Sequence, residues 1–495
     1  MSQPDATVLD VSDLLARHPV LADLGRLFEQ AGHELALVGG PVRDALLGRD
    51  VSDLDLTTSA RPEQVEQVVA SWADAVWDVG REFGTIGLRK GDETVEITTY
   101  RTDAYEVSSR KPQVAFGETL EADLSRRDFT VNALAVRLPG GEFVDAFGGV
   151  PDLAVGRLRT PVTAEQSFDD DPLRMMRAAR FVAQLGFTAS DDVVEAMTAM
   201  SERLSIVSAE RVRDELVKLV EGRYPVVGLR LMVETGLAEQ VLPELPALRL
   251  ERDEHHRHKD VYEHSLTVLE QAIDLEHRLG PGGGAGPGAA DGLGGGAGPG
   301  AAQPDFVVRF AALMHDVGKP RTRRFQDDGT VTFHHHDVVG AKMTRKRMRA
   351  LRFSNDVTDA VALLVELHLR FHGYGSGEWT DSAVRRYVRD AGDELERLHI
   401  LTRADCTTRN QRKAARLQRT YDDLERRIAE LSEAEELAAI RPDLDGNQIM
   451  EVLGIGPGRE VGEAYRFLLE LRMDRGPLDE AAAVEALRAW WAARG

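Results

Sequence analysis

The residues of this 495-residue chain best placed to do chemistry lie in one stretch, VGGPVRDALLGRDVSDLDLTT, residues 38–58. Asp53, Leu54, Asp55 and Leu56 alternate polar and apolar. Strand side chains alternate faces with period two, so the two carboxylates point the same way while the leucines pack behind them. Two carboxylates side by side repel, and a divalent cation between them removes the repulsion. Oxygen-only ligation suits Mg²⁺ at a phosphate-handling site. Upstream, Gly39 and Gly40 follow the short apolar strand Leu35 to Val38 and let backbone approach a ligand closely. The helix start that follows offers unpaired N–H groups to an anion, with Arg43 where a phosphate would lie. Either fragment alone is more often a turn or a solvated strand face. Their order, strand, Gly-Gly, helix, turn, strand, is what reads as phosphate and cation meeting on a small sheet.

A second constellation is DDDPLRMMRAARF, residues 169–181. Asp171, Arg174, Arg177 and Arg180 recur every third residue, and Pro172 fits the first turn of a helix. At about 100° per residue, steps of three turn back by about 60°, so Asp171, Arg174 and Arg177 are expected on one face with Arg180 drifting round. Such a face is most simply a solvated salt-bridge ladder. A carboxylate beside a guanidinium also presents one acceptor and several donors, enough to read the edge of a base. Between the two stretches, SRRDFTVNALAV (residues 125–136) puts Arg126, Arg127, Asp128 and Asn132 at the rim of an apolar segment.

Most of the 14 histidines lie beyond residue 251. His264 sits on an expected helix, His315 and Asp316 follow the apolar run Ala311 to Met314, and His336, His368 and Asp405 come later. Lone histidines are usually surface or satisfied core residues. An adjacent His-Asp pair on a buried face needs a partner, and imidazole with carboxylate suits a transition metal such as Mn, Fe, Co, Ni or Zn better than Ca²⁺.

These groups require elements to hold them. Residues 11–32 carry an apolar stripe at helical spacing, RPEQVEQVVASW starts a helix with Pro62 in its first turn, and strands are expected at 84–89 and 93–99. Glu96, in the second of these, becomes a third metal-side carboxylate if its strand pairs beside the one bearing Asp53 and Asp55. Residues 101–122 read as a loop, and from 160 onward the pattern is helical almost throughout. GPGGGAGPGAADGLGGGAGPGAAQP, residues 280–304, has no apolar period and is expected to be a disordered insertion. A basic run gathers Arg321, Arg323, Arg324, Lys342, Arg345, Lys346, Arg347, Arg349 and Arg352, either a solvated face or a phosphate track. Residues 411–437 form a long amphipathic helix, and GIGPGREVG makes a tight turn between two later helices.

The net charge of −22 speaks against a surface coated for nucleic acid but leaves room for a local basic groove. The single cysteine, Cys406, excludes an internal disulfide and fits a reducing cytoplasm. No run of about 18 apolar residues is present to span a membrane, and the start MSQPDATVLD lacks the pattern of a signal peptide.

The Gly-Gly and Asp-x-Asp stretch, RRDFTVNA and DDDPLRMMR together resemble the signature of polymerase-beta-like nucleotidyltransferases, in the branch holding bacterial CCA-adding enzymes and poly(A) polymerases. The later His and Asp set resembles the HD phosphohydrolase superfamily. The resemblance spans nearly the whole chain apart from the Gly-rich insertion and the extreme N-terminus. It implies an α+β fold: a polymerase-beta-like head with a small mixed sheet and helices, then an all-α body with an HD domain. The implied domains are a catalytic head (1–160), a helical nucleotide-selecting neck (161–248), an HD metal-binding domain (249–410) and a helical RNA-binding tail (411–495). The implied reaction is addition of C, C and A to tRNA 3′ ends from CTP and ATP without a nucleic-acid template. A poly(A) polymerase, an enzyme limited to the CC or the A step, and an HD phosphohydrolase with an RNA-binding head are the alternatives.

By the same resemblance Asp53 and Asp55 hold Mg²⁺ and are catalytic. Gly40 and Arg43 position the triphosphate, Arg127 and Asp128 contact the nucleotide and its ribose, and Asp171 and Arg174 read the base with Arg177 and Arg180 beside them. Position 170 is Asp where many relatives have Glu. DAFGGVPDLAVGRLR looks like the Gly-rich motif closing the head, and VSAERVRDEL, with a Ser208 cap and Arg211, like the one propping the base-reading helix. His264, His315, Asp316 and Asp405 match the HD metal set, and His336 and His368 match the extra histidines of members with two metals.

Overall fold

In the computed structural model the described residues are 11–51, 53–81, 84–104, 113–117, 119–249, 260–279, 303–327, 331–371, 379–407, 410–435 and 441–494. Among them the chain divides into two compact units, one up to Pro243 and one from Glu244. The expected disordered segment 280–304 lies outside the described residues save for its last two positions, as do the final two residues of the 411–437 helix and residues 105–112 and 118 of the expected 101–122 loop, whose described ends instead pair as the strands Arg101–Ala104 and Gln113–Phe116 and enter the helix Leu120–Ser125.

The first unit is built on a seven-stranded mixed sheet. Its strands are β1 (Leu35–Val38), β2 (Leu54–Thr58), β3 (Ala75–Gly80), β4 (Thr85–Lys90), β5 (Glu93–Thr99), β6 (Ala135–Leu138) and β7 (Glu142–Val144), in the order β3-β4-β5-β2-β1-β6-β7. All neighbours run antiparallel except β2 and β5, which pair parallel. β1 is buried on both faces: Leu35 and Leu37 enter a core with Leu54, Leu56, Val95 and Ile97, while Ala36 and Val38 join Tyr100, Leu124 and Ala135 on the other side. Period-two alternation thus decides which face β2 and β5 leave for polar groups.

The expected helix over 11–32 is interrupted. It splits into Val11–Arg17 and Pro19–Gln30, because Pro19 brings no N–H to continue the first segment and sits instead in the first turn of the second. Gly25 lies on that second helix where a Cβ would meet Pro139 backbone at 2.9 Å, which lets the helix lie flat on the end of β6.

After Gly149–Val155, where a Cβ on Gly149 would meet the Thr130 carbonyl at 2.3 Å, the unit becomes helical. Its central helix, α1 (Leu173–Leu185), packs against α2 (Ala209–Val220) and α3 (Pro225–Glu234). Gly222 and Gly228 permit this contact: a Cβ would fall 2.9 and 2.5 Å from the carbonyl oxygens of Ala183 and Ala179. The second unit is helical apart from one short hairpin. Around the apolar helix Phe306–Met314 pack Val261–Leu275, Asn355–Leu367 and Leu395–Ala404. Near the C-terminus Gly446–Leu453, Arg459–Arg475 and Glu480–Ala492 share a separate small core of Leu444, Ile449, Leu468 and Leu487. No described helix is long and apolar enough to cross a membrane.

These glycines make opposite predictions in thermal unfolding. Gly228→Ala must push α3 away from α1 and is expected to cost about 2 kcal/mol by overpacking. Gly462→Ala, in a helix and facing open space, is expected to stabilise by up to about 1 kcal/mol. Equal shifts for the two would contradict the described α1–α3 contact.

Candidate functional site

The parallel register of β2 and β5 sets Asp55 directly opposite Glu96, with Leu54 opposite Val95 and Leu56 opposite Ile97 in the core behind them. Asp53 immediately precedes β2. The expected pair is therefore a group of three carboxylates. Asp55 keeps an edge to solvent, but the walls around it strip water from the carboxylate. That desolvation pushes its pKa up, Arg127 pulls it down, and Asp53 pushes it up again. Glu96 is likewise raised, by desolvation and then by Asp55 and Asp53. Two carboxyls raised in this way, with Asp53 beside them, are a fitting donor set for a hard divalent cation. Beside them is a cavity of about 310 Å³ lined by Asp55, Thr98, Arg101, Asp123, Arg126 and Arg127, among others.

Of the two glycines, Gly39 makes the close approach. At φ 76° it sits in the left-handed region, and a Cβ there would lie 2.8 Å from the Arg127 guanidinium. Gly40 begins the helix Gly40–Leu46. Arg43 is engaged inside the protein: it donates to Asn132 Oδ1 at 2.6 Å and to both Asp44 oxygens, and its guanidinium lies 5.3 Å from the Phe181 ring centroid.

Asp128 is the hub of this region. Buried, it accepts from the Asn132 amide at 2.9 Å and from Arg177 Nε at 2.7 Å. Burial alone would raise its carboxyl, but Arg177 and these hydrogen bonds more than offset it and hold the pKa far below the usual range. Arg177 lies 3.8 Å from Glu215, which in turn pairs with Arg180 at 3.0 Å. Burial brings Arg180 down to about 10, and its guanidinium stacks 4.3 Å from the Phe181 centroid. Glu215 is the member that sequence reasoning missed. Its signal was a carboxylate on the face of α2 that also carries Val212, Leu216 and Leu219, a position that demands a buried cation.

The helical phasing drawn for Asp171 does not hold. The residue before a proline is driven to extended backbone, so Asp171 has φ −144° and ψ 101° and α1 begins only at Leu173. Its carboxylate accepts from the Leu173 N–H at 3.1 Å and from Arg211 at 3.0 Å. Arg174, also buried, donates to Ser167 Oγ at 2.9 Å and to the carbonyl of Arg126. It joins the neck helix to the RRDF segment.

In the second unit all six sequence-identified ligands come together. His264, His315 and Asp405 form one group able to hold a metal ion, and Asp316, His336 and His368 form another. Asp316 stands between them, with one oxygen 3.3 Å from His315 Nε2 and the other 3.3 Å from His336 Nε2. The Nδ1 atoms of His315, His336 and His368 lie 2.8, 2.8 and 2.7 Å from the carbonyls of Ala312, Phe333 and Val365. A carbonyl only accepts, so each Nδ1 carries its proton and each Nε2 is turned toward the cluster. Nε2 of His368 is buried with no hydrogen-bond partner among the described residues, and that of His336 meets only the Asp316 carboxylate, which fits a metal ion. Burial lowers the His368 pKa to about 4. For His315 the same effect is outweighed by Asp316, and the pKa rises to about 8. Lys319, not singled out from sequence, ion-pairs with Asp316 at 2.6 Å, three residues along the chain.

Comparisons with known proteins follow the same division. Residues 35–159 match the poly A polymerase head domain, residues 186–248 the probable RNA and SrmB-binding site of polymerase A, and residues 261–410 the HD domain. The CCA-adding enzyme of Bacillus subtilis is 42% identical over 217 residues, 44% of this chain and 53% of the relative. That of Lactobacillus helveticus is 42% identical over 224 residues, 45% and 54% of the two. The match thus spans about half the length of these relatives. Among solved structures, the Bacillus stearothermophilus CCA-adding enzyme in complex with CTP is 25% identical with a TM-score of 0.67, covering 96% of this chain and 98% of that one. The Thermotoga maritima CCA-adding enzyme complexed with tRNA shares the fold at 18% identity, a TM-score of 0.57 and coverage of 97% and 98%.

The Asp128–Arg177 pair sets a pH dependence. Because the folded-state pKa of Asp128 is depressed, its contribution is complete above the unfolded carboxyl pKa of about 4 and is lost as pH falls further. Asp128→Asn is expected to lower stability by about 2 kcal/mol at pH 7, with the gap to the parent closing below about pH 4, as read by denaturant unfolding at several pH values. A gap that widens on acidification would refute the pairing.

Proposed function

We infer that the chain is a nucleotidyltransferase of the poly(A) polymerase and CCA-adding family with a fused HD domain, and that it adds C, C and A to the 3′ ends of tRNA from CTP and ATP in the cytoplasm. The observation that carries this is the set of carboxylates on neighbouring parallel strands, framed by the RRDF segment and the arginine-rich helix α1. The finer division is a catalytic head over 1–160, a nucleotide-selecting neck over 161–248, an HD domain over 249–410 and an RNA-binding tail over 411–495.

Asp53 and Asp55, with Glu96 beside them, would hold Mg²⁺. Bound there, they would supply a lowered pKa for the terminal ribose hydroxyl and neutralisation of charge at the α-phosphate. The protein's own groups orient the reactants. The Gly39–Gly40 turn lets the triphosphate approach the backbone, and Arg127, against which Gly39 packs, supplies cationic donors at the cavity edge. Asp171, braced by Arg211, presents an acceptor to a base edge, and Arg177 presents donors once a nucleotide shares its attachment to Asp128. Arg43, Arg174 and Arg180 act by position: each fixes another element of the pocket through the contacts described above. A separate phosphohydrolase activity of the HD cluster is favoured by the paired ligand groups and the orphaned Nε2 of His368, which suit a pair of transition-metal ions.

Asp53→Ala and Asp55→Ala are each expected to lower CTP and ATP incorporation into tRNA lacking its CCA end by about a thousandfold or more, while the tRNA dissociation constant changes by less than about twofold. Glu96→Gln should lose less, about tenfold to a hundredfold. Retained incorporation in the Asp variants would remove the assignment, and sequencing the products separates CCA addition from poly(A) or single-step addition.

A further inference from the structure

The basic run between the two halves of the HD ligand set is not used by any chemistry described above. The chain leaves the metal cluster at Lys319, runs out along the hairpin strands Arg324–Phe325 and Val331–Thr332, and returns to the cluster at His336, the first residue of helix α4 (His336–Ala350). Both ends are pinned: a Cβ on Gly318 would lie 2.1 Å from the His336 carbonyl, and His335 takes φ 61° to enter the helix. The hairpin therefore stands at the rim of the cluster. It carries an aromatic ring to solvent, since Phe325 is 67% exposed, and Arg323 lies against that ring at 4.7 Å while Arg324 is exposed beside it.

Helix α4 continues this surface. Lys342, Lys346 and Arg349 fall within about 60° of one another around the helix axis, all are exposed, and none has an ion pair among the described residues. Their neighbours Arg345 and Arg347 are paired, with Asp359 and Glu366 and with Glu244. The free cations thus form a line of about 10 Å from Lys342 to Arg349, beginning about 9 Å along the helix from His336, at 1.5 Å per residue. In a chain of net charge −22, leaving such a row unpaired favours a polyanion, and an exposed ring flanked by arginines at one end favours one that carries bases.

We propose that the hairpin Arg323–Phe325 and the Lys342/Lys346/Arg349 face of α4 form a binding track for single-stranded RNA that brings a 3′ end to the His/Asp cluster. Phosphates lie along α4, and a base near the terminus stacks on Phe325. The substrate class of the HD centre is then the end of an RNA strand rather than a free mononucleotide. This rests on the reading of the cluster as a metal centre, and the test separates the two.

The probe is a 3′-phosphorylated RNA hexamer with 4-thiouridine near its 3′ end, cross-linked by light to the full-length protein. The concentration dependence of adducts on peptides spanning 321–352 reads this surface alone. Phe325→Ala is expected to weaken that binding about tenfold. The triple reversal Lys342→Glu, Lys346→Glu, Arg349→Glu should reduce the salt dependence by a slope of about 2, at about 0.7 per lost phosphate contact. All four positions are exposed, so an unchanged melting temperature confirms that the variants fold. Adducts confined to other peptides, or unaltered by either variant, overturn the track. Sensitivity to charge reversal but not to Phe325→Ala also overturns it, since it marks a general polyanion or acidic-protein surface. Metal content is measured on the same samples: protein that binds no metal but loses RNA affinity in the variants keeps the track and refutes the metal reading.

Discussion

The first unit depends on one charge pair, a buried carboxylate and a half-buried guanidinium. Asp128 belongs to the segment beside the sheet and Arg177 to the neck helix, and the buried carboxylate is compatible with its surroundings because the guanidinium is there. A lone carboxylate at that depth would take up a proton and a lone guanidinium would draw in water. Together they fix where α1 meets the sheet. Glu215 and Arg180 extend the arrangement so that charge alternates through the contact from sheet to α1 to α2. Arg174 adds a second tie, spanning from Ser167 to the Arg126 carbonyl. The groups read from sequence as nucleotide contacts are thus also the ones that assemble the pocket.

The carboxylates follow the opposite rule. Nothing among the described side chains neutralises Asp53, Asp55 and Glu96 as Arg177 neutralises Asp128; Arg127 pulls on Asp55 without reversing its upward shift. Apolar partners one residue away on each strand force the three to share a face whatever that costs. The backbone pairing was settled by the core, and the carboxylates are held in mutual repulsion as a result. The HD cluster shows the same contrast, with Lys319 balancing Asp316 while the buried Nε2 of His368 is left without a hydrogen-bond partner among the described residues.

Legibility in the sequence tracked how local each feature is. The Asp53/Asp55 alternation, the strands expected at 84–89 and 93–99 and the apolar helix before His315 are patterns within ten residues; the strands formed at Thr85–Lys90 and Glu93–Thr99, the first displaced by one residue. That Glu96 faces Asp55 depended on which strands pair, which no single segment encodes. Asp171 was misphased because the three-residue spacing looked helical while Pro172 forbade helix at the position before it. Gly39 and Gly40 read alike in the sequence, and only three-dimensional proximity to Arg127 distinguishes Gly39. Glu215, forty residues beyond its partners' helix start, carried a local signal of burial but no hint of what it would meet. The six HD ligands were found because their residue types are rare together, although their distances in the chain run to well over a hundred residues.

The manner in which the histidines are held has a consequence for exchange. His315 and His368 each close the end of a helix, and the carbonyl that orients each ring, of Ala312 or Val365, belongs to the last turn of that same helix. Carbonyls of a final turn lack an intrahelical donor, so each ring is at once the ligand's orienting device and the helix's terminal cap. Fraying of the last turn and misdirection of the nitrogen are then a single event. An ion held here would leave on the timescale of helix-end opening, and its presence would in turn suppress that opening, so occupancy of the centre and amide protection at two helix termini rise and fall together.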